Sequence, residues 1–220
     1  MNISDNIIYI DESIIIVNKP PGLRTIPDGY NKDLENLQSL LKIEFTVIWT
    51  VHRLDKDTSG VIIFARNAEV HKNLNYQFEN RLIKKTYIAI VHNIPDWKDY
   101  QAALPLLVNS DRNHRTIINH LGKPSVTNFV KLDQDTTENL SYLQAKLLTG
   151  YTHQIRSHLS YLGYPILGDK LYYKNLSKTQ KENNQQVNRL MLHASTIEFL
   201  HPVTNTNTVI STRVPFSLKI

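Results

Sequence analysis

The sequence predicts an α+β protein, built mainly of sheet with several helices packed against it. Three observations carry this. Short β-branched and aromatic runs recur from Ile7-Ile8-Tyr9-Ile10 to the end of the 220-residue chain. Helical periodicity is confined to a few stretches. There is no internal repeat and no linker long enough to split the chain, so one domain over residues 1–220 is expected. At 41% hydrophobic and 20% charged, the composition is that of a globular protein with a real core.

Taken in order, Ile7–Ile10 and Ile14–Val17 read as a hairpin joined by Asp11-Glu12-Ser13. The second strand runs into Asn18-Lys19-Pro20-Pro21-Gly22-Leu23, where two prolines and a glycine forbid further ladder pairing and shape a stiff loop. Residues 33–44 carry leucines at 34, 37, 40 and 41 on one helical face, with Asp33 as the expected cap. Phe45–Thr50 and Val61–Ala65 read as strands, and 67–81 as a helix striped by Val70, Leu74 and Phe78. Strands follow at Lys84–Val91, Val126–Leu132 and Leu140–Leu148, the last two separated by an acidic turn over 133–139. Thr152 is the expected cap of a helix ending at Gly163. Residues 174–188 are rich in Asn, Gln and Lys and poor in apolar groups, which predicts a mobile loop. Leu190–Leu200 and Thr206–Val214 close the chain as strands, broken by His201-Pro202.

A net charge of +5 and a pI near 9.2 favour a polyanionic partner, RNA or DNA. The basic run Arg112-Asn113-His114-Arg115 is rich in groups that contact phosphate, although locally it reads more as a solvated turn. With no cysteine there are no disulfides, thiolate metal sites or Cys nucleophiles. No basic leader precedes an apolar run, and no run approaches a membrane span, so a cytoplasmic protein without a membrane partner is the default expectation.

The chemistry concentrates in Val51-His52-Arg53-Leu54-Asp55-Lys56-Asp57-Thr58-Ser59-Gly60. A densely polar loop pinned between apolar runs is how a rigid scaffold presents reactive groups. Asp55, flanked by Arg53 and Lys56, is suited to remain ionised and act as nucleophile or general base. A loop-stabilising role for the same carboxylate is the plain alternative. Asp55-Lys56-Asp57-Thr58 also matches the D-x-D-x-T of aspartyl-phosphate phosphatases, but His52 and Arg53 stand where an apolar strand should end, and no second acidic pair completes a Mg²⁺ site. His153 and His158 are five apart, off the spacing that puts two zinc ligands on one helical face.

The loop from His52 to Gly60 resembles the signature of the RluA-type pseudouridine synthases. Further segments are similar to the same family in the same order: Asp11 through Leu23, Lys85-Thr86-Tyr87-Ile88-Ala89, Thr149-Gly150 with His153-Gln154-Ile155-Arg156, Gly163 through Asp169, Leu192-His193-Ala194 and His201-Pro202. The resemblance implies a mixed, mostly antiparallel sheet with flanking helices and a central RNA-binding cleft. It implies Asp55 as the catalytic aspartate, Tyr87 as the active-site tyrosine and candidate for proton removal, and Arg156 as the arginine that pairs with the aspartate. It assigns Arg53 to holding the flipped nucleotide, and His52, Lys19, His153 and Gln154 to the substrate side. The implied reaction isomerises uridine in a transfer or ribosomal RNA stem-loop. It needs no cofactor or metal, because nothing is oxidised and no group is transferred. A monomer is the default. Two departures stand out. Tyr151 occupies the place of a usual second arginine, and the chain starts at the catalytic domain, without the small N-terminal RNA-binding module of many relatives.

Overall fold

The computed structural model describes residues 3–112, 114–173 and 176–218. Its strands form a mixed, mostly antiparallel sheet accompanied by four α-helices among the described residues. Two compact units emerge, one comprising residues up to Lys85 together with Ala194–Arg213, the other Thr86–His193 together with Val214 onward.

In the first unit, β1 (Ile7–Ile10) and β2 (Ile14–Lys19) make the expected hairpin. Asp11 closes it, accepting from the Ser13 and Ile14 amides at 2.7 and 2.8 Å, the Ser13 hydroxyl at 2.7 Å, and contacting His201 Nε2 at 2.8 Å. Burial pushes this carboxyl up, but those bonds outweigh it and hold it well below the usual range. Next come α1 (Leu37–Glu44), β3 (Trp49–Thr50), β4 (Ser59–Ala65), α2 (Ala68–Glu79), and, late in the chain, β11 (Leu192–Leu200) and β12 (Asn207–Ser211). The strand order is β1-β2-β4-β11, with β12 against β11 and β3 against β4. All seven residues of β4 are buried, which its continuous apolar run foretold. Val61, Ile63 and Ala65, on one face of the strand, pack with Ile14, Ile16, Val70, Leu74, Ile197 and Phe199 into one core.

Two expectations fail locally here. Asn36, not Asp33, caps α1, its side-chain oxygen accepting from Ser39 N at 3.0 Å. The helix therefore starts three residues later than its leucine pattern suggests. Only Trp49–Thr50 of the run 45–50 is a strand, because Phe45 still closes α1, its N–H reaching Leu41 O.

In the second unit, β5 (Lys84–His92, entering from the first unit), β6 (Asp99–Ala103), β9 (Val126–Asp135) and β10 (Leu140–Leu147) are ordered β5-β10-β9-β6. A separate ribbon pairs β7 (Leu106–Leu107) with β8 (Ile117–Ile118). The acidic segment 133–139 is shorter as a turn than expected. Asp133, Gln134 and Asp135 still pair with Tyr142, Ser141 and Leu140, and the Asp135 carboxylate caps the turn by accepting from Thr137 and Glu138 N–H. Helix α3 spans Gln154–Tyr161. Its N-cap is His153 in a left-handed conformation (φ 56°), not Thr152.

The largest correction concerns 174–188. Residues 174 and 175 lie outside the described residues, but Lys178–Gln186 form a helix, α4. It buries no residue. A capping box between Ser177 and Gln180 starts it, and amide side chains fasten it. Gln180 donates to Asn93 Oδ1 at 2.9 Å, and Asn184 Oδ1 accepts from Gly168 N at 2.6 Å and contacts His92 Nε2 at 3.0 Å. Apolar content was the wrong measure for a helix held by hydrogen bonds.

Candidate active-site residues and their supports

Asp55 lies half-buried in the loop between β3 and β4, and Arg53, Lys56 and Asp57 are exposed beside it. The loop turns tightly, Thr58 N–H donating to Asp55 O at 3.2 Å. It ends at Gly60, with φ 116°, where an added Cβ would stand 2.1 Å from Ala194 O. Only glycine fits there, since both the backbone conformation and the approach of β11 exclude a side chain.

Lys19 was expected to face the substrate. Instead its side chain is fully buried, and its ammonium donates to Pro20 O at 2.9 Å, Leu23 O at 2.7 Å and Lys56 O at 3.0 Å. Gly22 N–H joins it on Lys56 O at 2.9 Å. An ammonium that neutralises three inward-facing carbonyls cannot reach phosphate without abandoning them. Lys19 thus ties the Pro-Pro-Gly turn to the residue after Asp55.

His52 is likewise engaged by the fold. Its Nε2 accepts from Ile63 N–H at 3.1 Å, which puts the ring proton on Nδ1. The ring stacks on Phe78 with centroids 4.6 Å apart, and the Lys85 ammonium lies 5.6 Å from the centre of that same ring. Burial, helped by the Lys85 charge, pushes the imidazole down to about 3, so at neutral pH it carries no charge to offer RNA. Burial also lowers Lys85.

The second unit holds Tyr87, His153, Gln154 and Arg156. Tyr87 sits in β5, 7% exposed. Gln154 is 2% exposed and wholly occupied. Its oxygen accepts from Thr149 Oγ1 at 2.9 Å and Tyr151 N at 3.2 Å, and its nitrogen donates to Val126 O at 3.1 Å and Thr127 Oγ1 at 2.9 Å. It fastens the start of α3 to β9. His153 Nδ1 lies 3.2 Å from Tyr172 Oη, a hydroxyl that also bonds the backbone of Thr116.

Arg156, 3% exposed, makes a two-pronged ion pair with Asp169. Its Nε donates to Oδ2 at 2.8 Å and its Nη2 to Oδ1 at 2.9 Å. The Tyr172 ring centre lies 5.2 Å from the guanidinium carbon. Asp169 is itself held by the N–H groups of Leu171 and Tyr172, at 2.8 and 3.1 Å. The fork fixes the guanidinium plane, because two parallel bonds permit one orientation. Sequence reasoning quoted Asp169 inside a motif and missed its function; an acidic residue directed inward by the chain's Gly168 turn (φ 79°) was the available signal.

In the basic run, Arg115 is taken by Asp111, Nε to Oδ2 at 2.6 Å, so its charge is already matched; Asn113 lies outside the described residues. Lys123 brings its ammonium 5.9 Å from the centre of the Tyr151 ring, restoring a cation beside the position that departs from the expected arginine. No cluster of three or more metal-binding side chains occurs among the described residues.

Comparison with known proteins bears on the family. A family model described as RNA pseudouridylate synthase matches residues 13–161. The chain is 38% identical over 220 residues to the "Ribosomal large subunit pseudouridine synthase C" of Buchnera aphidicola subsp. Baizongia pistaciae, covering 97% of this chain and 68% of that one. It is 32% identical over 197 residues to the "Dual-specificity RNA pseudouridine synthase RluA" of Escherichia coli (strain K12), covering 89% and 87%. Among solved structures, "Human RNA Pseudouridylate Synthase Domain Containing 1" superposes with a TM-score of 0.80 at 28% identity, over 96% of this chain and 84% of that one.

Proposed function

The chain belongs to the RNA pseudouridylate synthase family, an isomerase family, and from that premise we propose that it converts specific uridines of ribosomal or transfer RNA to pseudouridine, with Asp55 as the essential carboxylate. We propose further that residues 1–220 act as one catalytic domain, as a monomer in the cytoplasm, on a structured stem-loop. The observation that carries the reading is that the family match spans the loop His52–Gly60, in which Asp55 is half-buried.

The reaction breaks the N-glycosidic bond of a uridine, turns the detached uracil and joins C5 to the sugar C1′. Asp55 serves this by attacking C1′, by attacking C6, or by assisting elimination to a glycal. Every route ends with loss of the C5 proton, which Tyr87 takes as general base. Arg156, its guanidinium plane fixed by Asp169, supplies positive charge to the reaction, and Arg53, exposed on the same loop as Asp55, helps hold the nucleotide outside the helix. The target base must leave its stack, at a cost of a few kcal/mol, roughly. Phosphate contacts from a chain of net charge +5 help offset that. No redox step and no transferred group enter the balance, so the proposed chemistry runs on protein side chains.

The test uses transfer RNA and ribosomal RNA transcripts tritiated at C5 of uridine, with metal chelated throughout. Wild-type protein should release tritium from one or both, and Asp55→Asn should release none above background while binding the same RNA. No release by wild type from either RNA, or equal release by both proteins, would overturn the assignment.

A further inference from the structure

The residue before Asp55 is held by a single hydroxyl. Thr25 follows the turn that Lys19 fastens and is 3% exposed. Its Oγ1 donates to Leu54 O at 2.9 Å and accepts from Leu54 N–H at 3.2 Å. One side-chain group therefore satisfies both backbone groups of Leu54, as a neighbouring strand would have done. Leu54 belongs to no strand, and its side chain is buried, so its backbone has limited access to water.

Thr25 is itself anchored. Its carbonyl accepts from Gln38 N at 3.0 Å, and the carbonyl of Arg24 accepts from Leu37 N at 2.8 Å, so both join the first turn of α1. Leu37 and Leu41 of that helix are completely buried. A continuous chain of bonds thus leads from core side chains through α1 and Thr25 to the peptide that leads into Asp55. The β-branch of threonine narrows the choice of χ1, which suits a hydroxyl that must serve two partners at once.

We propose that Thr25 is a positioning residue for Asp55, its hydroxyl fixing the Leu54 peptide groups and with them the direction in which the Asp55 carboxylate leaves the loop. The proposal rests on the reading of Asp55 as the essential carboxylate. Leu54 O and the Asp55 amide share one peptide plane, so any rotation at Leu54 displaces the carboxylate. Misplacement of a reacting group by about 1 Å costs on the order of 10²-fold in rate. Valine matches threonine in shape and removes only the hydroxyl, leaving both Leu54 groups without their partner. Serine keeps the hydroxyl and loses the methyl group.

Thr25→Val and Thr25→Ser should be compared with wild type by tritium release, RNA affinity, denaturation midpoint and amide exchange at Leu54. Expected for Thr25→Val is a fall in kcat of about 10- to 100-fold with RNA affinity within about twofold, and faster exchange at Leu54. Thr25→Ser should retain kcat within about threefold and protect Leu54 nearly as wild type does. If Thr25→Val does not fold, Thr25→Ala replaces it as the variant lacking the hydroxyl. Equal losses in the serine and valine variants would show that keeping the hydroxyl does not preserve the rate and overturn the proposal. So would a loss confined to RNA affinity with kcat intact. Should wild type release no tritium, the isomerase reading falls, and Leu54 exchange still decides whether Thr25 holds the loop; unchanged exchange in Thr25→Val ends the proposal.

Discussion

The loop of Asp55 and the helix of Arg156 solve one problem, holding a charged side chain in place, by opposite means. Around Asp55 the supports grip backbone. Lys19, Gly22 and Thr25 bond the carbonyls and amide of Leu54 and Lys56, so the Asp55 carboxylate is placed by the peptide planes on either side of it. Around Arg156 the support grips the functional group itself, with Asp169 seizing two nitrogens of the guanidinium. A flexible side chain with several rotatable bonds needs its tip held, whereas a short aspartate follows its backbone. The two designs should also fail differently. Removing a backbone grip leaves neutral groups unsatisfied, while removing one partner of a buried ion pair strands a charge.

That contrast predicts a ranking. Asp169→Ala should be the most damaging, costing about 3–5 kcal/mol of folding stability by stranding the Arg156 charge, as measured by chemical denaturation. Tritium release should fall with it, and a stability loss under about 1 kcal/mol would break the comparison. Lys19→Met should cost less, about 1–3 kcal/mol, because it strands carbonyls rather than a charge. Its effect on kcat should exceed its effect on RNA affinity, since its ammonium faces the loop and not solvent.

The units also differ in how acid reaches them. Burial and the Lys85 charge lower His52 to about 3, and burial with the Arg189 charge lowers His193 to about 4. Both bases bind a proton more weakly folded than unfolded, so each contributes stability that is complete above the unfolded value near 6.5 and is lost as pH falls. The loss runs from about 6.5 to 4 for His193, in the second unit, and continues to about 3 for His52, in the first. Each accounts for up to about 1.4 kcal/mol per pH unit within its window. The stability of His193→Gln minus that of wild type should therefore rise as pH falls from about 6.5 to 4 and be level outside that window, while for His52→Gln the rise should continue down to about 3. Coincident windows would remove the distinction.

The smallest effect is expected at α4. Ser177→Ala removes half of the capping box and should cost about 1 kcal/mol, seen as faster amide exchange confined to residues 178–186. Exchange spreading into β5 would show that the polar helix stabilises more than itself.

Legibility followed the kind of bond. The hairpin of β1 and β2, the buried strand β4 and helix α2 were readable because burying apolar side chains imposes a period on the sequence. The Asp55 loop was readable because reactive side chains bunched between two such runs. Helix α4 was not, since amide side chains hold it and buried leucines do not. Nor were the true occupations of Lys19, His52 and Gln154. Each is a polar residue beside candidate catalytic groups, and sequence does not distinguish a polar group turned toward substrate from one turned toward a carbonyl. Thr25 and Asp169 escaped notice as site residues for the same reason, their partners lying 29 and 13 residues away.

By itself, then, the sequence determined the sheet-rich α+β character, the stretch that carries Asp55 and the family to which the chain belongs. Local chemistry suffices for these, because propensity, apolar period and a dense motif are all properties of neighbours along the chain. The tertiary structure decided which polar side chains are spent on the fold. A buried donor or acceptor must be satisfied by whatever group folding brings within about 3 Å, and that choice is made between residues far apart in sequence.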